Sequence, residues 1–426
     1  MKTRILALTA VVFLLSQAAF CGGSKERTET PNSAAAAEPI EVVFWNGFTA
    51  SDGDVLRDIY DRFNQQNTKN ISVTMDIMPW GNMLEKLAVS ISTNTGPTLI
   101  LLGVESISEY SASGGLLPLD DFWKWSGLDT SKFAQNVIDT FKYEGTTYGI
   151  PMQYSTHYLY WNKDLFVEAG LDPERPPETF SEFIDYARKL TNAEKEQYGF
   201  GFPAGNIYIT NFLWSNGGDW LTEDLSQSAI NSPEAVEVLT MLQNFATEGV
   251  TPLGMTGMDL DNLFYAGKVA MYMNGPWLIN GCRTKGMNFG IGSIPAADNG
   301  FKQFPGTGVA FMVTSSATDE QKIAAYECIK NWLSKDVLKE WTLKNGFPAW
   351  SSEVLADAEV QNDPIQNVLG PLSKYGRLPF PGMPESGRIA ADYLDPLFEQ
   401  LMYGKITPQA CAQKMEAGIN AVLAGK

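Results

Sequence analysis

Residues 143–166 read YEGTTYGIPMQYSTHYLYWNKDLF. Glu144–Gly145 marks a turn. A short aromatic and β-branched run follows, and then Pro151, which cannot continue a sheet ladder from the inside. Tyr154, Ser155, Thr156 and His157 lead into a second strand-like run, Tyr158–Trp161. A stretch that leaves one α/β block, bends at a proline and enters another reads as an interdomain crossover, a place that pockets favour. From pattern alone, an ordinary strand–turn–strand within one domain fits equally well.

Upstream, Glu41–Trp45 forms a first strand and Asn46–Gly47 the turn after it. Ser51 or Asp52 caps a helix with Leu56, Ile59, Tyr60 and Phe63 at i, i+3, i+4 and i+7. Ile71, Val73, Met75 and Ile77 alternate as a second strand. Beyond Pro79–Trp80, a helix carries Leu84, Leu87, Ala88 and Ile91 on one face. Thr98–Leu102 (TLILL) is continuously apolar, as a strand covered on both faces must be. The order β-α-β-α-β predicts an open, mostly parallel sheet. Ligands bind such sheets at the carboxyl ends of the strands, here Trp45–Phe48, Pro79–Trp80 and Gly103–Glu105.

Downstream the pattern restarts. Thr179 and Glu182 make a capping box, and Ser232–Pro233 starts another helix. Asn211–Trp220 is a loop with two tryptophans and a glycine pair. Strands are expected at Val269–Met273, Phe289–Ile294 and Val309–Val313, and a last helix begins at Thr407–Pro408.

A chain of 426 residues exceeds one compact core, so two lobes are expected. Its 31 Lys+Arg against 49 Asp+Glu give a formal charge of −18, which repels phosphate backbones and excludes nucleic acid as a partner. Cys21, Cys282, Cys328 and Cys411 show no metal-ligand spacing, and no metal or cofactor is expected. At the N-terminus, Lys2 and Arg4 precede an apolar run, Ile5–Leu15, too short to span a bilayer. With Ser16–Cys21 this reads as an export signal. Polar, Ala-rich Ser24–Pro39 reads as a flexible tether.

Taken together, these segments resemble the extracellular solute-binding proteins of ABC importers, in the family whose members bind maltose and other sugars. The resemblance rests on YGIP (148–151), LYWNKDLF (159–166), AGL (169–171) and PPETFSEF (176–183), then on SGGLLPLDD (113–121), YAGKVAMYMNGPW (265–277), PGTGV (305–309), NGFPA (345–349) and GKITPQA (404–410), all in order. Thr98 departs from the aspartate common there. Ser16–Cys21 resembles a lipobox, which implies lipidation of Cys21. Phe20 replaces the usual small residue, so simple secretion with cleavage near Ala19 is the other reading. The resemblance implies a periplasmic-binding-protein-like α/β fold, with two lobes of mixed, mostly parallel sheets joined by a crossover hinge. Residues 1–20 are then the signal and 21–37 the anchor and tether. Lobe 1 is 38–150 plus 306–344, and lobe 2 is 151–305 plus 345–426. It further implies a monomer, held at the membrane by lipid and facing the periplasm or cell exterior, that delivers its ligand to the transmembrane subunits of a permease.

Sugars offer apolar C–H faces and a rim of hydroxyls, so a site needs aromatic platforms and a few fixed polar groups. The candidates are Trp45, Phe48, Trp80, Trp214 and Trp277 as platforms, Glu105 as acceptor, and Tyr154 and Ser155 in the crossover. Gly306 and Thr307 are expected to bring backbone N–H groups to the cleft. Phe347 and Arg377 are expected to complete the site from the second lobe, with Tyr375 close by. His157 reads as a satisfied structural residue. An arginine near 377 contacts phosphate in a relative that binds glycerol 3-phosphate, which makes that ligand the alternative. Readings of other classes are an exported glycosidase, which needs two carboxylates across one sugar bond, and a surface adhesin.

Overall fold

The computed structural model describes residues 38–49, 51–297 and 302–425. The expected signal, Cys21 and most of the tether lie outside the described residues. The strands among the described residues are β1 (Ile40–Asn46), β2 (Ile71–Ile77), β3 (Leu99–Gly103), β4 (Lys142–Tyr143), β5 (Thr146–Thr147), β6 (Ile150–Ser155), β7 (Tyr158–Asn162), β8 (Tyr198–Gly201), β9 (Val269–Asn274), β10 (Phe289–Gly292), β11 (Phe304–Pro305), β12 (Thr307–Val313) and β13 (Gly376–Arg377).

Two main sheets organise the molecule, one ordered β2-β1-β3-β12-β6 and the other β10-β7-β9-β8. Both are mixed. In the first, four of five strands share a direction and β12 opposes them; in the second, only β7 is reversed. These two reversed strands are the ones entered by crossing between sheets. The chain leaves the first sheet at Ser155, passes Thr156–His157, and enters the second as β7. It returns at Thr307, which pairs with Ser155. Residues 143–166 are thus the crossover. Pro151 lies on the edge strand β6, beside a break in register where Val309 faces Gln153 and Ala310 faces Pro151, the one kind of place a strand tolerates a missing N–H. Glu144 and Gly145 both take positive φ, +48° and +82°, and close the β4–β5 ribbon as the primed two-residue turn requires.

The TLILL run is apolar throughout because the first sheet is covered on both faces. Leu99 and Leu101 point to a layer built with Leu56, Ile59, Tyr60, Ile329 and Trp332. Ile100 and Leu102 point to Met83 and Leu87 of helix Trp80–Ser92. The second sheet packs Leu159, Phe200 and Met271 against helices Phe180–Lys189, Pro233–Thr247 and Pro408–Leu423. From sequence, the last hand-over to the second lobe is expected at Asn345. In the structure Phe347, Trp350, Val354 and Val360 lie in the first core, with the Trp350 ring 5.0 Å from that of Phe133, and Ile365 and Leu369 pack beside Tyr160 and Tyr272 of the second sheet. Cys282, Cys328 and Cys411 are buried free thiols in three different cores. No helix among the described residues is long and apolar enough to cross a membrane.

Candidate functional site

The strand ends of the first sheet and the facing helices of the second enclose a cavity of about 860 Å³. Of the twelve residues singled out from sequence as ligand contacts, six line it: Phe48, Trp80, Glu105, Trp277, Thr307 and Phe347. Phe48, Trp80 and Glu105 follow β1, β2 and β3, where an open α/β sheet presents its loops. Trp80 lies flat on Gly47, where a Cβ would come within 2.3 Å of the indole, so only glycine seats it there. Gly275 does the same for Trp277, at 2.0 Å.

The aromatic rings form one continuous ribbon. Successive centroids are 5.8 Å apart from Trp80 to Phe48, 5.9 Å to Trp341, 5.7 Å to Phe347, 6.4 Å to Trp277, 6.0 Å to His157 and 4.6 Å to Tyr208. Trp80, Phe48, Trp341 and Phe347 belong to the first core and Tyr208 to the second. Trp80, Phe48, Phe347, Trp277, His157 and Tyr208 line the cavity, while Trp341 is buried behind Phe48 and Phe347 and joins them from the core; rings set along a cavity in this way suit the C–H faces of a ligand.

The polar lining is acidic. Asp52, Glu105 and Asp261 meet the cavity, and Lys285 is the one basic side chain among the described lining residues. Glu105 is an exposed residue that lines the cavity, and desolvation by the protein around it raises its carboxyl above the usual range against the pull of its own backbone N–H. Asp261 rises to about 6. Burial is the main cause and the charge of Asp52 adds to it, while hydrogen bonds from the Tyr272 hydroxyl (2.7 Å) and Asn274 Nδ2 (2.9 Å) pull the other way. Asn280 Nδ2 donates to the Ser51 carbonyl at 3.3 Å, a direct tie across the cleft.

The other six expected contacts do not line the cavity. Trp45 turns its indole into the layer of Met83 and Leu87, under the Lys86 ammonium at 3.9 Å, because Phe44 takes the opposite face of the strand. Tyr154 packs into the first core, and Ser155 donates to the Thr156 carbonyl. The Gly306 N–H is taken by the Arg377 carbonyl at 2.7 Å through the β11–β13 pairing. Trp214 and Arg377 hold each other: the guanidinium lies 3.9 Å above the indole, and Asp219 accepts from Trp214 Nε1 at 2.9 Å and from Arg377 at 2.6 Å. Residues not singled out from sequence also line the cavity, among them Asp52, Gln153, Tyr208, Asp261 and Tyr265, together with His157, which reads from sequence as structural. Most of these sit on helix faces, where a cleft-facing residue carries the same periodicity as a core-facing one.

A family model described as a bacterial extracellular solute-binding protein matches residues 58–367. The chain is similar to the galactooligosaccharide-binding protein of Bacillus subtilis, 25% identical over 429 residues that cover 97% of this chain and 96% of that protein. It is also similar to the sn-glycerol-3-phosphate-binding periplasmic protein of Pectobacterium atrosepticum, 28% identical over 336 residues and 74% of each chain. Among solved structures, an ABC transporter solute-binding protein of Thermotoga lettingae bound with alpha-D-tagatose superposes with a TM-score of 0.81 at 22% identity, covering 90% of this chain and 100% of that one. At that identity the likeness is one of fold.

Proposed function

The chain belongs to the bacterial extracellular solute-binding protein family, and from that premise we propose that it captures a sugar or oligosaccharide between its two lobes and hands it to the permease of an ABC importer. The observation that carries this reading is the set of rings lining the cavity, Trp80, Phe48, Phe347, Trp277 and Tyr208, with carboxylates set beside them. Rings supply apolar contact to sugar faces, and ionised carboxylates accept hydroxyl protons in strong, directional bonds. Trp277, Phe48, Trp80 and Phe347 act as platforms and Glu105 as an acceptor. The lobes are the two sheets with their helices, and the links at Thr156–His157 and Gly306 serve as the hinge. The protein binds and does not turn over its ligand. It is exported, and lipidation at Cys21 holds it at the membrane.

Glycerol 3-phosphate is the second reading, favoured by the Pectobacterium relative. The chemistry of the cavity weighs against it, since three carboxylates meet one lysine there and Arg377 is bound to Asp219. A thermal-shift screen of residues 35–426 against mono-, di- and oligosaccharides and glycerol phosphates tests both. A saturable rise with one sugar class and no consumption of that sugar is the expected result. A rise with glycerol 3-phosphate alone selects the second reading. Consumption of the sugar makes the protein a glycosidase.

A further inference from the structure

His157 is the only histidine of the chain, and its polar environment is unusually constrained. Asn211, on helix Asn206–Ser215, sets Nδ2 3.2 Å from both the Ile207 and Tyr208 carbonyls and 3.0 Å from His157 Nδ1, so that its two hydrogens are shared, one pointing between the carbonyls and one at Nδ1. The two carbonyls can only accept. Turning the amide over would aim its own oxygen at both, so Nδ2 must be the atom facing Nδ1. The amide accepts a cost for this orientation, because its Oδ1 is left buried with no partner. Nδ1 must then be an acceptor, and the ring carries its proton on Nε2.

The rest of the ring is equally fixed. Tyr208 stacks on one face at 4.6 Å and 20°, and Trp277 meets the ring edge-on at 6.0 Å and 88°. His157 lines the cavity, and its Nε2 has no protein partner among the described residues. We infer that His157 contacts the ligand through Nε2–H as a neutral hydrogen-bond donor, and that Asn211 is the positioning residue that fixes this tautomer. The donor sits within the ribbon, between Trp277 and Tyr208. It selects an acceptor oxygen, a hydroxyl or ring oxygen, at that point of the ligand and disfavours an ammonium there. This rests on the cavity being the binding site.

The groups packed on the ring, Asn211, Tyr208 and Trp277, carry no charge at neutral pH, and no carboxylate among the described residues bonds to it. Asp52, Glu105 and Asp261 meet the cavity elsewhere. Burial alone holds the imidazole down at about 3, so the donor does not titrate between pH 5 and 8.

A single histidine makes the test direct. Nitrogen-15 NMR of His-labelled, ligand-free protein should give the Nε2–H pattern with no titration from pH 5 to 8. Titration in that range, or a proton on Nδ1, overturns the tautomer whether or not any sugar binds. Adding the sugar found by the screen should move the Nε2 resonance and leave Nδ1 nearly still. His157→Leu should weaken that sugar roughly tenfold, the scale of one hydrogen bond, and His157→Gln, which keeps a side-chain N–H donor, should recover part of it. Asn211→Asp should draw a proton onto Nδ1 and give the affinity a pH dependence that wild type lacks. An unmoved Nε2 together with wild-type affinity in His157→Leu overturns the ligand contact. If no carbohydrate binds, the transport reading and the contact fall together, while the tautomer stands on its own titration.

Discussion

Asp261→Asn should stabilise the ligand-free protein, by an amount that grows with pH. Burial and the nearby Asp52 charge raise the Asp261 carboxyl from 3.8 to about 6. The folded state therefore holds this proton more tightly than the unfolded chain does. Below pH ~4 both states are protonated and the site costs nothing. As pH rises from ~4 through ~6, the unfolded chain releases its proton first and stability falls. Above that the penalty is constant. A shift of about two units corresponds to about 3 kcal/mol at most, and the side chain's partial access to the cavity lowers this to about 2 kcal/mol. Asparagine keeps an oxygen to accept from Tyr272 and Asn274 and carries no charge. For a chain of this size 1 kcal/mol moves Tm by roughly 1 °C, so the variant should melt about 2 °C above wild type at pH 7.5 and level with it near pH 4. Calorimetric scans of both proteins at matched ionic strength give the difference directly, since titrating groups not coupled to Asp261 cancel. A difference independent of pH, or a variant less stable at pH 7.5, would refute the assignment of a buried, charge-strained carboxylate at this position.

Trp277→Ala should weaken the bound sugar by about 1–3 kcal/mol, the usual scale for a central aromatic anchor; unchanged affinity by titration calorimetry removes it from the site. Gly103→Ala would bring a Cβ to 2.0 Å from Glu105 Oε1, and that flexible carboxylate must swing away. Its melting temperature should stay near wild type while sugar affinity drops as in Glu105→Gln, and wild-type affinity would show that Glu105 makes no ligand contact. Arg377→Ala strips Asp219 and Trp214 of their shared cation, so stability should fall by up to about 1 kcal/mol, lowering Tm by roughly 1 °C, with the sugar Kd unchanged; a weakened Kd places Arg377 in binding after all. Cys21→Ser should move the protein from the membrane to the soluble fraction, and persistent anchoring argues against lipidation.

The first three strands of the first lobe were readable because they announce themselves: alternation in Ile71–Ile77 and a doubly buried run at Thr98–Leu102. The turns after β1, β2 and β3 then named Phe48, Trp80 and Glu105. Trp45 failed by one residue of strand parity, which sends neighbours to opposite faces. Arg377 failed because its partner Asp219 is 158 residues away in sequence, and a lone arginine carries no local sign of whether it is already paired. Asp52 reads locally as a helix cap and Asp261 as a solvated face, for which only the opposed lobe supplies a reason to be otherwise. His157 looks like any buried histidine until Asn211 is placed against it.

The insertion of β12 between β3 and β6 bears on how the molecule comes to be folded. The first 155 residues contain four of the five strands of their sheet, but β3, paired with β1 on one side, does not touch β6; the two are joined only through β12, which begins at Thr307. That part of the chain is left with the facing edges of β3 and β6 unpaired until some 150 further residues are available. Long-range pairings of this kind slow the search, because the loop must close before its contacts reward it. The chain has a built-in delay: the first sheet cannot close until β12 is in place, and the fastest steps should be the local ones, the β4–β5 ribbon and the β1–β2 pairing across its helix.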